Sequence, residues 1–306
     1  MYISVIICTY NHSESLKMTL KSIEEMSVPE DLRWELILVD NNSSDETRNV
    51  VREFMKRSGL SVKYVYEGKQ GLGHARIAGC EAATGDILAF TDDDCIVDRH
   101  WLSSLAKEFQ SDRTLSGAGG RVELFDIRDK PVTIMTSKER VLLSWPGQLF
   151  NFIHGCNMAF VRRVFQVVGN YDVRFGAGTK IASAEDSDFI YRVFKSGFKI
   201  LYSPDFVVYH NHGRRTDAQV RILMKGYIIG RGAFYCKHIL KGDLEVLKMA
   251  YREIYWLVKN IAVHFYSTDA RGKSRERLRL LLVGVWYYLA TSCRAIFANV
   301  WFRHGE

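Results

Sequence analysis

The first ninety residues constrain the fold most. Four short apolar runs, at residues 2–8, 34–39, 62–66 and 87–90, alternate with segments whose apolar residues recur every three or four positions. The runs are rich in β-branched residues and too short for helices, so each reads as a buried strand. Between them, Leu16, Leu20 and Ile23 mark a helix over 14–26. Thr47, Val50, Val51 and Phe54 mark a second over 44–57, with Ser44 as its N-cap. A glycine-bearing turn leads into a third over 73–83. Strands alternating with helices predict an α/β fold, a mostly parallel sheet flanked by helices. Ligands of such sheets bind beyond the carboxyl ends of the strands. Those ends fall at 9–11, 40–42 and 91–94.

The chain then becomes less regular. A helix is expected over 101–110, strands over 115–123 and 153–160, and a helix over 183–196 that Gly197 ends. Short strands follow at 199–202 and 206–210. Segment 126–150 has weak periodicity and holds Pro131 and Pro146. After residue 216 the pattern is helical to the end. The expected organisation is an α/β domain over 1–216, divided near residue 98 into a regular and a less regular half, and a helical extension over 217–306.

Charge follows the same division. Residues 1–220 carry 27 Lys+Arg against 29 Asp+Glu, whereas residues 221–306 carry 15 against 6, a net of +9. A basic tail on a near-neutral body points to an anionic surface. The tail's charges sit among long apolar runs, which suits acidic lipid better than nucleic acid, so no nucleic-acid partner is expected. Residues 280–302 have the length of a membrane span but include Arg294; with Trp286, Tyr287, Tyr288 and Trp301 they read as a helix lying on a membrane. Residues 249–265 read similarly. The alternative is packing on the body or on a second copy in a homo-oligomer. The six cysteines show neither zinc nor redox spacing, which places the chain in a reducing compartment. No secretory signal is read at the start, so the expected location is cytoplasmic, peripheral or monotopic at the inner face of the membrane.

Three adjacent carboxylates, Asp92, Asp93 and Asp94, follow the fourth strand. Their repulsion resists burial, so a purely structural role there is hard to justify. In extended chain Asp92 and Asp94 face one side together, where they can hold Mn²⁺ or Mg²⁺ against a diphosphate.

Several ordered motifs now join. They are Ser-Val-Ile-Ile-Cys-Thr-Tyr-Asn at 4–11, Val-Asp-Asn-Asn-Ser-Ser-Asp at 39–45, Gly-Leu-Gly-His-Ala-Arg at 71–76, Thr-Asp-Asp-Asp at 91–94 and Ala-Glu-Asp-Ser-Asp at 184–188. In this order residues 3–215 resemble a family 2 inverting glycosyltransferase of the GT-A fold. The resemblance implies that Thr9, Tyr10 and Asn11 line a base pocket and that Asp40 and Asn41 hydrogen-bond the base, UDP being the expected nucleotide. It implies that Lys69, Arg76, Asp92 and Asp93 meet the rest of the nucleotide, and that Asp94, Asp92 and His210 serve the metal. Arg76, in the first turn of its helix, would grip phosphate. Lys69 stands where the family often has Asn, and Ile77 where Asn often follows the arginine. Arg214 and Arg215 are placed to touch phosphate.

An inverting transfer needs one carboxylate to take the acceptor's proton. The resemblance assigns it to Asp186; a capping box from Ser183 to Asp186 explains the same residue without catalysis. Gly119, Gly120, Trp145, Asn157 and Glu185 are expected around the sugar and acceptor, a glycan or lipid-linked hydroxyl in cell-surface polysaccharide or glycolipid assembly. Two other readings remain. A sugar-phosphate nucleotidyltransferase uses a related fold, but its glycine-rich basic loop is absent from Cys8-Thr9-Tyr10-Asn11-His12. A non-catalytic α/β domain with a membrane- or nucleic-acid-binding tail is the other.

Overall fold

A computed structural model describes residues 1–263 and 268–302 of the chain. Phe265 and the side chains of Arg294, Asn299 and Trp301, on which part of the tail reading rests, lie outside the described residues. Contacts divide the chain into two compact units, one of residues 1–173 and 186–216, the other of residues 174–185 and 217–306.

The first unit begins with β1 (Tyr2–Thr9), α1 (Ser13–Glu24), β2 (Arg33–Asp40), α2 (Thr47–Arg57), β3 (Val62–Tyr66), α3 (Leu72–Ala82) and β4 (Ile87–Asp92). These four strands pair in parallel in the order β3-β2-β1-β4. Both faces of β1 are buried, as a sheet covered on two sides requires. Val5 and Ile7 face a core shared with Leu16, Leu20, Val51 and Phe54 of α1 and α2. Ile6 faces α3, whose Gly79 comes so close that a Cβ there would stand 2.6 Å from Ile6 Cγ2. Ser44 does not cap α2, which starts three residues later. Asp45 does that work, its Oδ1 accepting the Thr47 N–H at 3.1 Å and hydroxyl at 2.6 Å.

The sheet continues with β5 (Cys95–Val97), α4 (Trp101–Ser111), β6 (Leu115–Leu124), β7 (Val141–Leu142), α5 (Pro146–Phe152), β8 (Asn157–Val161), α6 (Arg162–Val168), α7 (Glu185–Lys195) and β9 (Lys199–His210). This half is mixed: β8 runs antiparallel to β4 and β6, β6 runs parallel to β9, and β5 and β7 run antiparallel to β9. Residues 153–156, expected as strand, form the loop before β8. The two strands read at 199–202 and 206–210 are one, β9, with a register shift opposite Gly120/Arg121.

Helix α7 is held to the sheet by stacked rings. Phe189 lies 4.6 Å from Tyr171, 4.7 Å from Phe165 and 5.2 Å from Phe160, centroid to centroid. Truncating such a core ring costs about 3–5 kcal/mol, more than any one surface contact supplies. The start of α7 is thereby fixed against the strand ends.

The second unit contains the glycine-bearing loop 174–185, α8 (Asp217–Leu240), α9 (Leu244–Val263) and α10 (Thr268–Phe302). Gly232 and Gly284 let α8 and α10 touch backbone to backbone; a Cβ on either would strike a carbonyl oxygen, of Leu281 or Ile229. Arg174 lies over Tyr288 at 4.2 Å and donates to Ser292 Oγ at 2.7 Å. The Ser183 hydroxyl donates to Gly226 O at 2.9 Å. Glu253 of α9 ties the helices together, accepting from Tyr235 Oη of α8 at 2.6 Å and Arg277 Nε of α10 at 2.9 Å. Among the described residues no helix is long and apolar enough to cross a membrane.

Candidate active site

Register brings the carboxyl ends of β1, β2 and β4 side by side: Thr9 pairs with Asp40 and Cys8 with Asp92. Thr9 is buried, and its hydroxyl has no hydrogen-bond partner in the protein. Tyr10 is half-exposed beside it. Asn11 is left-handed, at φ 51°, a conformation Asn tolerates. Its N–H donates to Ser43 Oγ at 3.0 Å and its Oδ1 accepts the Ser44 N–H at 2.7 Å. Asn11 thus locks the first strand's loop to the second's.

Asp40 and Asn41 are both buried. Asp40 accepts the Ser43 N–H at 2.9 Å and the Tyr64 hydroxyl at 2.8 Å. Burial, reinforced by Asp40, pushes the Tyr64 phenol up to about 12, so it remains a donor. Asn41 donates to Glu67 O at 3.1 Å and Lys69 O at 2.7 Å and accepts the Gly71 N–H at 2.8 Å. Both its N–H groups are spent, so the expected contact with a base gives way to one that shapes loop 67–71. The Lys69 side chain is exposed on that loop.

The acidic cluster is arranged differently from the extended-chain expectation. β4 ends at Asp92 and β5 begins at Cys95, so Asp93 and Asp94 form a turn. Asp92 and Asp94 therefore part. Asp92 Oδ1 lies 3.7 Å from Arg76 Nη2. Asp93 Oδ1 lies 3.3 Å from His12 Nδ1. Asp94 Oδ2 lies 3.4 Å from His210 Nε2. Candidate metal-ligand atoms of Asp94, Cys95 and His210 lie within 4.8 Å of one another, and among the described residues Asp92 is not in that cluster.

Burial pushes the Asp92 carboxyl up to about 6, with Arg76 opposing and Asp94 adding to the rise. Burial also raises the Asp94 carboxyl, but the hydrogen bond from His210 outweighs it and leaves Asp94 lowered. Burial disfavours a charged His210, yet Asp94 pushes that imidazole up to about 10. Its Nδ1 faces the Thr133 hydroxyl at 3.1 Å and carbonyl at 3.3 Å, which turns Nε2 toward Asp94. An outer partner of this kind is what a metal-binding imidazole needs. A carboxylate and an oriented imidazole fit a divalent ion such as Mn²⁺. Burial pushes the Cys95 thiol well above its ordinary value.

Helix α3 begins at Leu72, so Arg76 lies past the first turn and is buried rather than exposed at a helix end. Its guanidinium lies 5.4 Å over Tyr171 and donates to Gly155 O at 3.3 Å. The same Gly155 donates its N–H to Asp186 Oδ2 at 3.0 Å. One residue therefore joins the arginine beside Asp92 to the carboxylate at the start of α7. Asp186 is not part of a capping box: α7 begins at Glu185, the Ser183 N–H donates to Ile181 O, and the Asp186 carboxylate accepts from Gly155 and Ser187 instead.

The expected acceptor residues separate. Asn157 is fully buried, accepting from Trp101 Nε1 at 2.8 Å and donating to Arg121 O at 2.8 Å and Phe206 O at 3.2 Å. It holds the core and cannot touch a sugar. Gly119 and Gly120 make room for protein, not ligand: a Cβ on Gly119 would strike Ile153, and one on Gly120 would strike Asn157 and Phe206. Trp145 is exposed, with its ring over Gly147. Glu185 is buried and groups with loop 174–185, where it packs on Gly176.

The Glycosyl transferase family 2 model matches residues 4–169, more than half of the chain. The chain belongs to glycosyltransferase family 2. It is 32% identical over 302 residues to glycosyltransferase AglE of Haloferax volcanii, covering 96% of this chain and 92% of that protein. It is 27% identical over 221 residues to the glucosyl-dolichyl phosphate glucuronosyltransferase of the same organism, covering 69% of each. Its fold matches the mannosyltransferase PcManGT of Pyrobaculum calidifontis, solved with GDP-Man and Mn²⁺, at a TM-score of 0.61 and 20% identity, over 94% of this chain and 86% of that one. The α/β sheet with a helical C-terminal region is thus the GT-A-like architecture, and the enzyme is a glycosyltransferase.

Three features of this glycosyltransferase escaped the reading of its sequence. Thr133, left-handed at φ 56°, orients His210 from a segment with no periodicity. Buried Asp129 accepts the Gly213 N–H at 2.8 Å and Arg215 Nε at 3.1 Å, pinning the loop after His210. His154 precedes the linking glycine; burial lowers its pKa, with Asp186 opposing and His210 adding, so both groups lie within its electrostatic reach. The His-Gly-Cys-Asn string at 154–157 was the only signal for any of them.

Proposed function

We propose that the enzyme transfers a sugar, with inversion, from a nucleotide-diphosphate sugar to a hydroxyl of a glycan or lipid-linked acceptor. The observation that carries this reading is the path Asp92–Arg76–Gly155–Asp186, in which a single residue, Gly155, links the arginine beside Asp92 to a carboxylate. Thr9, Tyr10, Asn11 and Asp40 shape the base pocket, with UDP the expected nucleotide. Lys69, Asp92 and Asp93 face the rest of the donor, while Arg76 orients Asp92 from beneath. Arg214, whose Nη1 is buried with no hydrogen-bond partner, is placed to serve the diphosphate.

Asp94 and His210 would hold the metal; Mn²⁺ would suit them better than Mg²⁺, which favours an all-oxygen octahedron. A divalent ion there would supply positive charge against the departing nucleotide diphosphate. Asp186 accepts the acceptor hydroxyl's proton as the new bond forms, a contribution typically of about 10²–10⁴-fold. Gly155 N–H holds the Oδ2 of that carboxylate at 3.0 Å, and the Ser187 N–H and hydroxyl hold its Oδ1 at 2.6 Å and 3.2 Å, which fixes the carboxylate's orientation. Trp145 and Glu185 are kept as acceptor-side residues.

A role in cell-surface polysaccharide or glycolipid assembly at the cytoplasmic face of a membrane completes the proposal. The dolichyl phosphate in one relative's name supports a lipid-linked acceptor. Calorimetric titration of UDP, dTDP and GDP, each with Mn²⁺, Mg²⁺ or chelator, tests the donor side. One nucleotide is expected to bind wild type with Mn²⁺ and to lose that binding in Asp94→Ala. Failure of all three under every metal condition sinks the proposal.

A further inference from the structure

Helix α9 carries two apolar faces. One is inward: Val246, Ala250 and Leu257 are buried. The second is bare. Leu244, Leu247, Tyr251, Ile254, Tyr255 and Val258 are 42–67% exposed. They recur at three and four residues, so they form one continuous stripe along the helix. Tyr251 and Tyr255 stack within it at 6.2 Å. A run of large apolar side chains on one exposed face is not the scattered exposure that soluble surfaces tolerate.

Charge names the occupant. Lys248, Arg252 and Lys259, all exposed, lie at the same helical spacing and edge one side of the stripe. The one acid on the outer part of this helix, Glu245, is matched by Lys248 at 2.8 Å. An apolar stripe with tyrosines and a basic border is the pattern of a helix lying in a membrane interface, its rings at headgroup depth and its cations on acidic headgroups. A second copy of the chain would bring an equally basic border against this one.

We infer that the exposed face of α9 docks on an anionic lipid surface. This rests on and deepens the membrane part of the function proposed above. The face of α10 bearing Leu281, Gly284 and Tyr288 is buried within the helical unit, whereas its Leu282, Trp286 and Leu289 are exposed.

The test is co-sedimentation of the full chain with vesicles of phosphatidylcholine alone or mixed with phosphatidylglycerol, alongside the Mn²⁺-nucleotide titration. Wild type is expected to bind the anionic vesicles and barely the neutral ones. Tyr251→Asp combined with Tyr255→Asp should abolish vesicle binding and leave nucleotide binding unchanged. Neutralising Lys248, Arg252 and Lys259 together to Gln should weaken it on the order of 100-fold. Wild type that ignores anionic vesicles, or variants that bind them undiminished, overturns the inference. So does a wild-type dimer, seen by sedimentation equilibrium, that the tyrosine variant splits without changing vesicle binding; the face then belongs to a second copy. If vesicles bind and no nucleotide does, the docking face stands and the donor reading falls.

Discussion

Gly155 is the residue on which the two ends of the chemistry meet. A Cβ there would stand 2.7 Å from Arg76 Nη2 and 2.8 Å from Asp186 Oδ2. Both side chains would have to shift, and Arg76 is buried against Tyr171. Gly155→Ala should therefore displace the base and lower kcat about 100-fold, as misplacement of about 1 Å does, with nucleotide affinity changed much less. Asp186→Asn should cost about 10²–10⁴-fold in kcat and leave donor binding intact. Steady-state kinetics beside calorimetry checks both. Wild-type kcat in either variant would remove the linked carboxylate from the reaction.

At the scale of elements, the end of β9 is positioned from a distant part of the chain. His210 closes the strand, and the loop after it is pinned by Asp129 through Gly213 and Arg215. Asp126 adds a second contact, accepting from Arg215 Nη2 at 2.9 Å. Asp129→Ala leaves the Gly213 N–H and the Arg215 guanidinium without this acceptor. A lost hydrogen bond to a charged group costs about 1.5–3 kcal/mol, so the melting temperature should fall. Metal-dependent nucleotide binding should weaken as well, because the loop carrying Arg214 loses its anchor. Unchanged nucleotide affinity in a destabilised variant would confine Asp129 to the fold.

On the scale of the molecule, the helical unit depends on a buried charge. Burial opposes ionisation of Glu253, but the Tyr235 hydroxyl, Arg231 and Arg277 outweigh it and hold the carboxyl below its ordinary value of 4.5. A carboxylate depressed in the folded state contributes stability above its unfolded pKa and loses it as pH falls through the folded value. Stability should therefore decline below about pH 4.5 in wild type. Glu253→Gln should unfold more easily by about 1.5–3 kcal/mol at neutral pH and lose part of that acid sensitivity. Chemical denaturation across pH, followed by helical circular dichroism, measures both.

The sequence alone determined the parallel half of the sheet, the order of its helices and the strand ends where a ligand would sit. Those features are local: period, β-branching and turn residues act within a dozen positions. The place of Thr9, Tyr10 and Asp40 at strand ends was legible for the same reason, whereas the nearness of Asp94 and His210 was implied only by the family resemblance. Only the tertiary structure decided which polar groups are already spent. Asn41 and Asn157 have the composition of ligand contacts, yet their hydrogen bonds go to a loop and to the core. Gly119 and Gly120 look like space, yet Ile153 and Phe206 fill it. Asp92 and Asp94 look paired, yet a turn sends one to Arg76 and the other to His210. Each outcome depends on a partner 16 or more residues away, and no local pattern records what a distant side chain has already satisfied.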